Sequence, residues 1–139
     1  MNNDRMIKIT DIQTDEETGE KEAVEITTRG TLAGDENDYV LNFDEIFAED
    51  MKSHTELTVK NKTCVSIVRT GDVATELQLE LGKRHICLYS TPYGDMNIGI
   101  FAKKIQSSIT PGGGTLELCY TVDYSGALSS TKKMLIEVN

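Results

Sequence analysis

The chain has 139 residues, 38% hydrophobic and 27% charged, with a formal net charge of −9. That length suits one domain with a real core, and no apolar run approaches the ~18 residues a membrane span needs, so no membrane partner is expected. The negative charge would repel phosphate backbones and argues against a nucleic-acid partner.

Arg5 to Gln13 reads as a first strand with Ile7 and Ile9 on one face, and the acidic segment 14–21 (TDEETGEK) as a mobile loop. Val24, Ile26, Thr28, Gly30 and Leu32 then share a face, with Gly30 expected at a bulge or sharp bend. Residues 34–37 turn the chain into a third alternating set, Tyr39, Leu41, Phe43 and Glu45. Residues 46–53 (IFAEDMKS) show no clean period and read as a short helical turn or an irregular crossing. Thr55, Leu57 and Val59 lead into a turn at Asn61-Lys62, and Val65, Ile67 and Arg69 lead out of it to Gly71-Asp72.

Val73, Thr75, Leu77, Leu79 and Leu81 alternate with Glu76, Gln78 and Glu80, the pattern of a strand with one wet face. The stretch 81–102 holds a Gly82-Lys83 turn, a short apolar run, the breaker TPYG, and then Met96, Ile98, Ile100 and Ala102 at every second position. Such spacing between turn signals marks half-buried strands. Lys103 to Thr110 reads as a weaker strand continuing the last one through a bend, and residues 111–114 (PGGG) as a loop. Leu116, Leu118, Tyr120, Val122 and Tyr124 form another long face; after Ser125-Gly126, Met134, Ile136 and Val138 close the pattern.

Nine or so short strands with short links imply antiparallel neighbours. A meander of that length removes its exposed edges by closing on itself. The expected fold is therefore all-β, an antiparallel up-and-down barrel of about eight to ten strands spanning residues 1–139; a β-sandwich is the alternative.

At GKRHICLYSTPYG (residues 82–94) the chain resembles the YwiB-like family of small bacterial proteins of unknown function. YVLNFDE at 39–45, VSIVRTG at 65–71 and LELCYTVDYSG at 116–126 extend the resemblance over residues 22–139. It implies a calycin-like (lipocalin-like) barrel and no established activity. Calycin relatives hold small apolar ligands, an analogy of fold alone.

Parity singles out two charges. Glu45 shares its face with Tyr39, Leu41 and Phe43, and Arg69 shares its face with Val65 and Ile67. If those faces line the interior, a carboxylate and a guanidinium project inward, where they must pair, reach water at the rim, or meet a ligand's opposite charge. Tyr89, Thr91 and Tyr93 form a second candidate cluster, with Pro92 and Gly94 fixing a turn at a barrel mouth. Tyr120 and Tyr124 would give a cavity polar handles, or simply fill space.

Other chemistry is weakly signalled. Cys64, Cys87 and Cys119 are far apart and in no CxxC pair, so free thiols are expected and no metal site. His85 and Cys87 share a strand face, but no acid stands beside them in sequence to orient the imidazole. His54 reads as a solvated histidine beside a loop. The opening MNNDRMIKIT has no apolar segment, which reads as a chain without an export signal, in the cytoplasm. No cofactor fingerprint is present.

Three functions remain in order. The first is a non-catalytic binder of a small amphipathic molecule, using the candidate residues above. The second is an interaction barrel, as a homodimer in one version, with an outer apolar patch at Phe47, Met51 or Phe101. An enzyme using Glu45, Arg69 and a tyrosine for acid–base work comes third.

Overall fold

The structure is a computed structural model and describes residues 4–48, 51–72, 74–91 and 94–139. Ten strands follow in order: β1 (Asp4–Asp15), β2 (Lys21–Gly34), β3 (Tyr39–Ala48), β4 (Met51–Lys60), β5 (Cys64–Gly71), β6 (Ala74–Glu80), β7 (Arg84–Thr91), β8 (Gly94–Ser107), β9 (Gly114–Tyr124) and β10 (Ala127–Val138). Each pairs antiparallel with its sequence neighbour, and β1 pairs with β10, so the sheet closes into the expected up-and-down barrel. There is no helix among the described residues, and hence none long and apolar enough to cross a membrane.

The strand register arranges the interior in layers. Tyr39, Val59, Val65 and Leu79 stand level on β3 to β6; Leu41, Leu57, Ile67 and Leu77 form the next layer; Phe43, Thr55, Arg69 and Thr75 the third. The interior thus turns from apolar to polar along the barrel axis. At the apolar end Leu41, Leu57, Val65, Ile67, Leu79, Leu116 and Ile136 have no exposed surface. Each large aliphatic side chain buried there contributes roughly 1.5–3 kcal/mol. Tyr39 closes that end, its hydroxyl 2.8 Å from Ser107 Oγ.

Irregularities sit where alternation fails. A register shift between Ala102 and Lys104 lets β8 continue through residues 103–107. The extra residue turns Lys103 and Lys104 both outward and returns Ile105 to the core. Of residues 46–53, the described ones are strand rather than helical turn: β3 runs to Ala48 and β4 starts at Met51, with a register shift between Ile46 and Ala48. That bulge is what hides the two-residue period there. The expected 14–21 loop is shorter than read, since Thr14 and Asp15 belong to β1 and Lys21 to β2. Asp15 Oδ1 accepts the backbone N–H of Glu17 (2.8 Å) and Thr18 (3.1 Å) in the link.

Gly30 lies within β2 at unbroken register, without a bulge, where the β2–β3 ladder ends. A Cβ there would collide with the Asn42 carbonyl, Ile7 Cδ1 and Phe43 Cβ. The β2–β3 ladder covers only Gly30–Gly34 with Tyr39–Phe43; from Arg29 down to Lys21, β2 pairs with β1 alone. The barrel wall therefore parts beside Ile26, Val24 and Glu45.

Candidate functional site

The polar end of the barrel is built from strand positions that continue the apolar faces. Glu45 follows Phe43 on β3 and is 7% exposed; Arg69 follows Ile67 on β5 and is half-buried. Between them on β4 stands Thr55, level with both Phe43 and Arg69. Its hydroxyl donates to Glu45 Oε1 at 2.8 Å, and Arg69 Nε approaches the same oxygen at 3.6 Å. The two charges expected to face inward do so, and they meet. Enclosing a carboxylate costs several kcal/mol unless donors and an opposite charge surround it, which Thr55 and Arg69 supply.

Two cavities flank Arg69. The larger, about 290 Å³, is lined by Arg69, Thr75, Tyr89, Tyr120, Tyr124, Lys132 and Gln13 together with Leu77, Met96, Ile98, Ile100 and Val122. The smaller, about 240 Å³, lies where the wall parts and is lined by Asp11, Glu45 and Arg69 with Ile9, Val24, Ile26 and Met134. Of the expected site residues, Arg69, Tyr89, Tyr120 and Tyr124 gather on the larger cavity, while Glu45 lies on the smaller. Tyr89 and Tyr124 are partly exposed at its rim. Tyr93 lies outside the described residues, as do the side chains of Thr91, Phe47 and Met51.

Tyr120 is buried, and its surroundings define its role. Burial first, then the Asp11 carboxylate, push the phenol far above its ordinary pKa, with Arg69 acting the other way. It stays a neutral hydroxyl at ordinary pH, suited to hydrogen bonding rather than to proton abstraction.

Asp11, Gln13, Thr75 and Lys132 line the cavities without having been among the expected site residues. Asp11 has the parity of Ile7 and Ile9, and Lys132 that of Met134 and Ile136, so alternation alone carried the signal. Gln13 stands level with Lys132, and Lys132 with Tyr120. Asp11 Oδ1 and Thr75 Oγ1 are buried and have no hydrogen-bond partner among the described residues.

His54 is exposed, as expected, but it does not stand beside a loop. His54 sits within β4, its Nδ1 2.8 Å from Asp44 Oδ1 and its Nε2 3.0 Å from Asn42 Oδ1. His85 Nε2 lies 3.3 Å from Glu80 Oε1. Cys87 instead takes the Gln78 N–H on its sulfur at 3.3 Å, and burial pushes its thiol up. A thiol so held is the opposite of an activated nucleophile. The three cysteines are free, and no His, Cys, Asp and Glu cluster suited to a metal occurs among the described residues.

A closed ten-strand up-and-down barrel, apolar at one end and cavity-bearing at the other, places the molecule among small calycin-like barrels. The chain belongs to the family described as a domain of unknown function, DUF1934, whose model matches residues 7–136. The crystal structure of the ywiB protein from Bacillus subtilis is similar, with a TM-score of 0.76 and 21% identity. That likeness covers 100% of this chain and 95% of the other; at this identity it speaks for the fold alone. The YwiB-like resemblance read from residues 22–139 thus holds. No curated protein matches the sequence.

Proposed function

We propose that the protein is a non-catalytic binder that holds a small amphipathic molecule in the polar end of its barrel. The observation that carries this reading is the 290 Å³ cavity, which lies at the lower end of the range of ligand pockets, roughly 300–1,000 Å³. The cavity is about equally apolar (Leu77, Ile98, Ile100, Val122) and polar (Arg69, Thr75 and Lys132 with serine, glutamine and tyrosine groups), the division an amphipathic guest requires. The neutral phenol of Tyr120 and the inert thiol of Cys87 favour binding over catalysis. Native mass spectrometry of protein purified from its own host tests the reading: a retained small molecule, lost on unfolding, is expected. Uniformly ligand-free protein that also takes up no amphipathic dye at the cavity would overturn it.

A second reading, an interaction surface for another copy of the chain, has one observation in its favour. Ile86 and Leu88 stand 62% and 49% exposed on the outer face of β7, beside Phe101 of β8 at 36%. Sedimentation of wild type against Ile86→Lys tests it. A dimer that the variant dissolves would support it, and a wild-type monomer at high concentration would end it.

A further inference from the structure

The two cavities differ in charge. Asp11 and Glu45, the inward-facing carboxylates of this end, both line the smaller one. The larger is lined by Arg69 and Lys132 and by no carboxylate among the described residues. Lys132 is half-buried and makes no ion pair or hydrogen bond with any described residue. Its neighbours across the ladders are Gln13 and Tyr120, both uncharged at ordinary pH. An ammonium in a partly enclosed recess is less hydrated than one at the open surface, and low-dielectric walls focus its field on whatever enters.

Thr75 gives an independent sign. The residue is 5% exposed, and its hydroxyl oxygen has no partner among the described residues although it lines the same cavity. Burying a hydroxyl without a hydrogen bond is unfavourable, and such a group in a native interior calls for an explanation. Thr75 stands directly across the ladder from Arg69, so a donor and a cation stand side by side on one wall.

From this segregation we propose that the larger cavity is a carboxylate subsite. Its guest is a small monocarboxylate with a short apolar body, the carboxylate between Lys132 and Arg69 with the Thr75 hydroxyl donating to it. The inference rests on the reading of the barrel as a small-molecule binder and specifies the head group. A planar carboxylate suits a guanidinium and an ammonium together. Leu77, Ile98, Ile100 and Val122 receive the apolar body, and a cavity of about 290 Å³ encloses only a short one.

The test is an amide NMR titration of the whole protein with hexanoate, with its neutral counterpart hexanamide, and with inorganic phosphate. Hexanoate is expected to shift the amides of Thr75, Ile98 and Ile100 and to bind at least about tenfold more tightly than hexanamide. Lys132→Gln, whose unchanged remaining spectrum shows that it folds, is expected to weaken hexanoate about tenfold and leave hexanamide unaltered. Equal binding of hexanoate and hexanamide, or an indifferent Lys132→Gln, overturns the charge assignment and leaves the amphipath reading standing. Phosphate binding more tightly than hexanoate overturns the carboxylate in favour of a bare anion. If neither organic probe shifts those amides, the carboxylate subsite falls, while the amphipath reading is decided by the retained-molecule and dye measurements.

Discussion

Arg69 meets Glu45 across an intervening strand, its Nε 3.6 Å from the carboxylate oxygen that Thr55 on that strand already hydrogen-bonds. The side chains are 14% and 8% exposed, so each charge depends on the other. Glu45→Ala, leaving the guanidinium enclosed without its carboxylate, is expected to lower stability by about 3 kcal/mol. Glu45→Met with Arg69→Met should lose much less, because neither charge is then stranded. Urea unfolding of the single and double variants checks this; equal losses would mean that the pair is not coupled.

Thr75 bears on the cost of keeping a site open. If its hydroxyl is unsatisfied in the ligand-free protein, Thr75→Val keeps the shape and removes the penalty. The variant is expected to gain about 1 kcal/mol in urea unfolding while losing affinity for hexanoate. A variant less stable than wild type would show that the hydroxyl is already satisfied.

Outside the barrel, Arg84 clamps Asp123 through Nε (2.9 Å) and Nη2 (2.6 Å), and the Gly126 N–H donates to the same carboxylate at 2.9 Å. The Arg84 hydrogen bond, above all, holds the Asp123 carboxyl below its ordinary value. A group depressed in the folded state stabilises above its unfolded pKa of about 3.9 and loses that contribution as the pH falls through the folded value. Stability should therefore decline below about pH 4, and Asp123→Asn should flatten that acid limb. Gly99 lies beneath the pair, and a Cβ there would collide with the Arg84 guanidinium and the Asp123 carboxylate. Gly99→Ala should accordingly lower the urea midpoint and flatten the same limb; an unaltered limb in either variant would argue against the clamp.

The β4–β5 turn places Asn61 and Lys62 at φ of 52° and 59°. Within this three-residue link the Thr63 N–H donates to the Lys60 carbonyl at 3.2 Å, so Asn61 and Lys62 are the central pair of a turn that favours Asn-Gly, and a left-handed conformation costs a lysine about 1 kcal/mol relative to glycine. Lys62→Gly is expected to raise the melting temperature by a few degrees, about what 1 kcal/mol brings at this size. A lowered melting temperature would point to contacts of the lysine side chain that outweigh the backbone.

How much was legible in the sequence varies along the chain. Alternation and turn residues gave the strands around Leu41, Leu57, Ile67, Leu77 and Leu118, and the barrel with them, because parity is a local property of extended backbone. Parity also placed Glu45 and Arg69 on the inner face. It failed at residues 46–53, where a bulge interrupts the period.

The amino-acid order alone pointed to about eight to ten antiparallel strands and put the charged Glu45 and Arg69 on the apolar faces. Only the tertiary structure decided the register in which β1 meets β10, bringing Gln13 beside Lys132, and that Thr55 stands between Glu45 and Arg69. It also decided that Asp11 and Glu45 line one of the two cavities that flank Arg69, and Lys132 the other. The reason is physical: side-chain direction follows from neighbours in sequence, whereas which side chains share a cavity follows from register and closure, set by pairings between residues far apart in the chain.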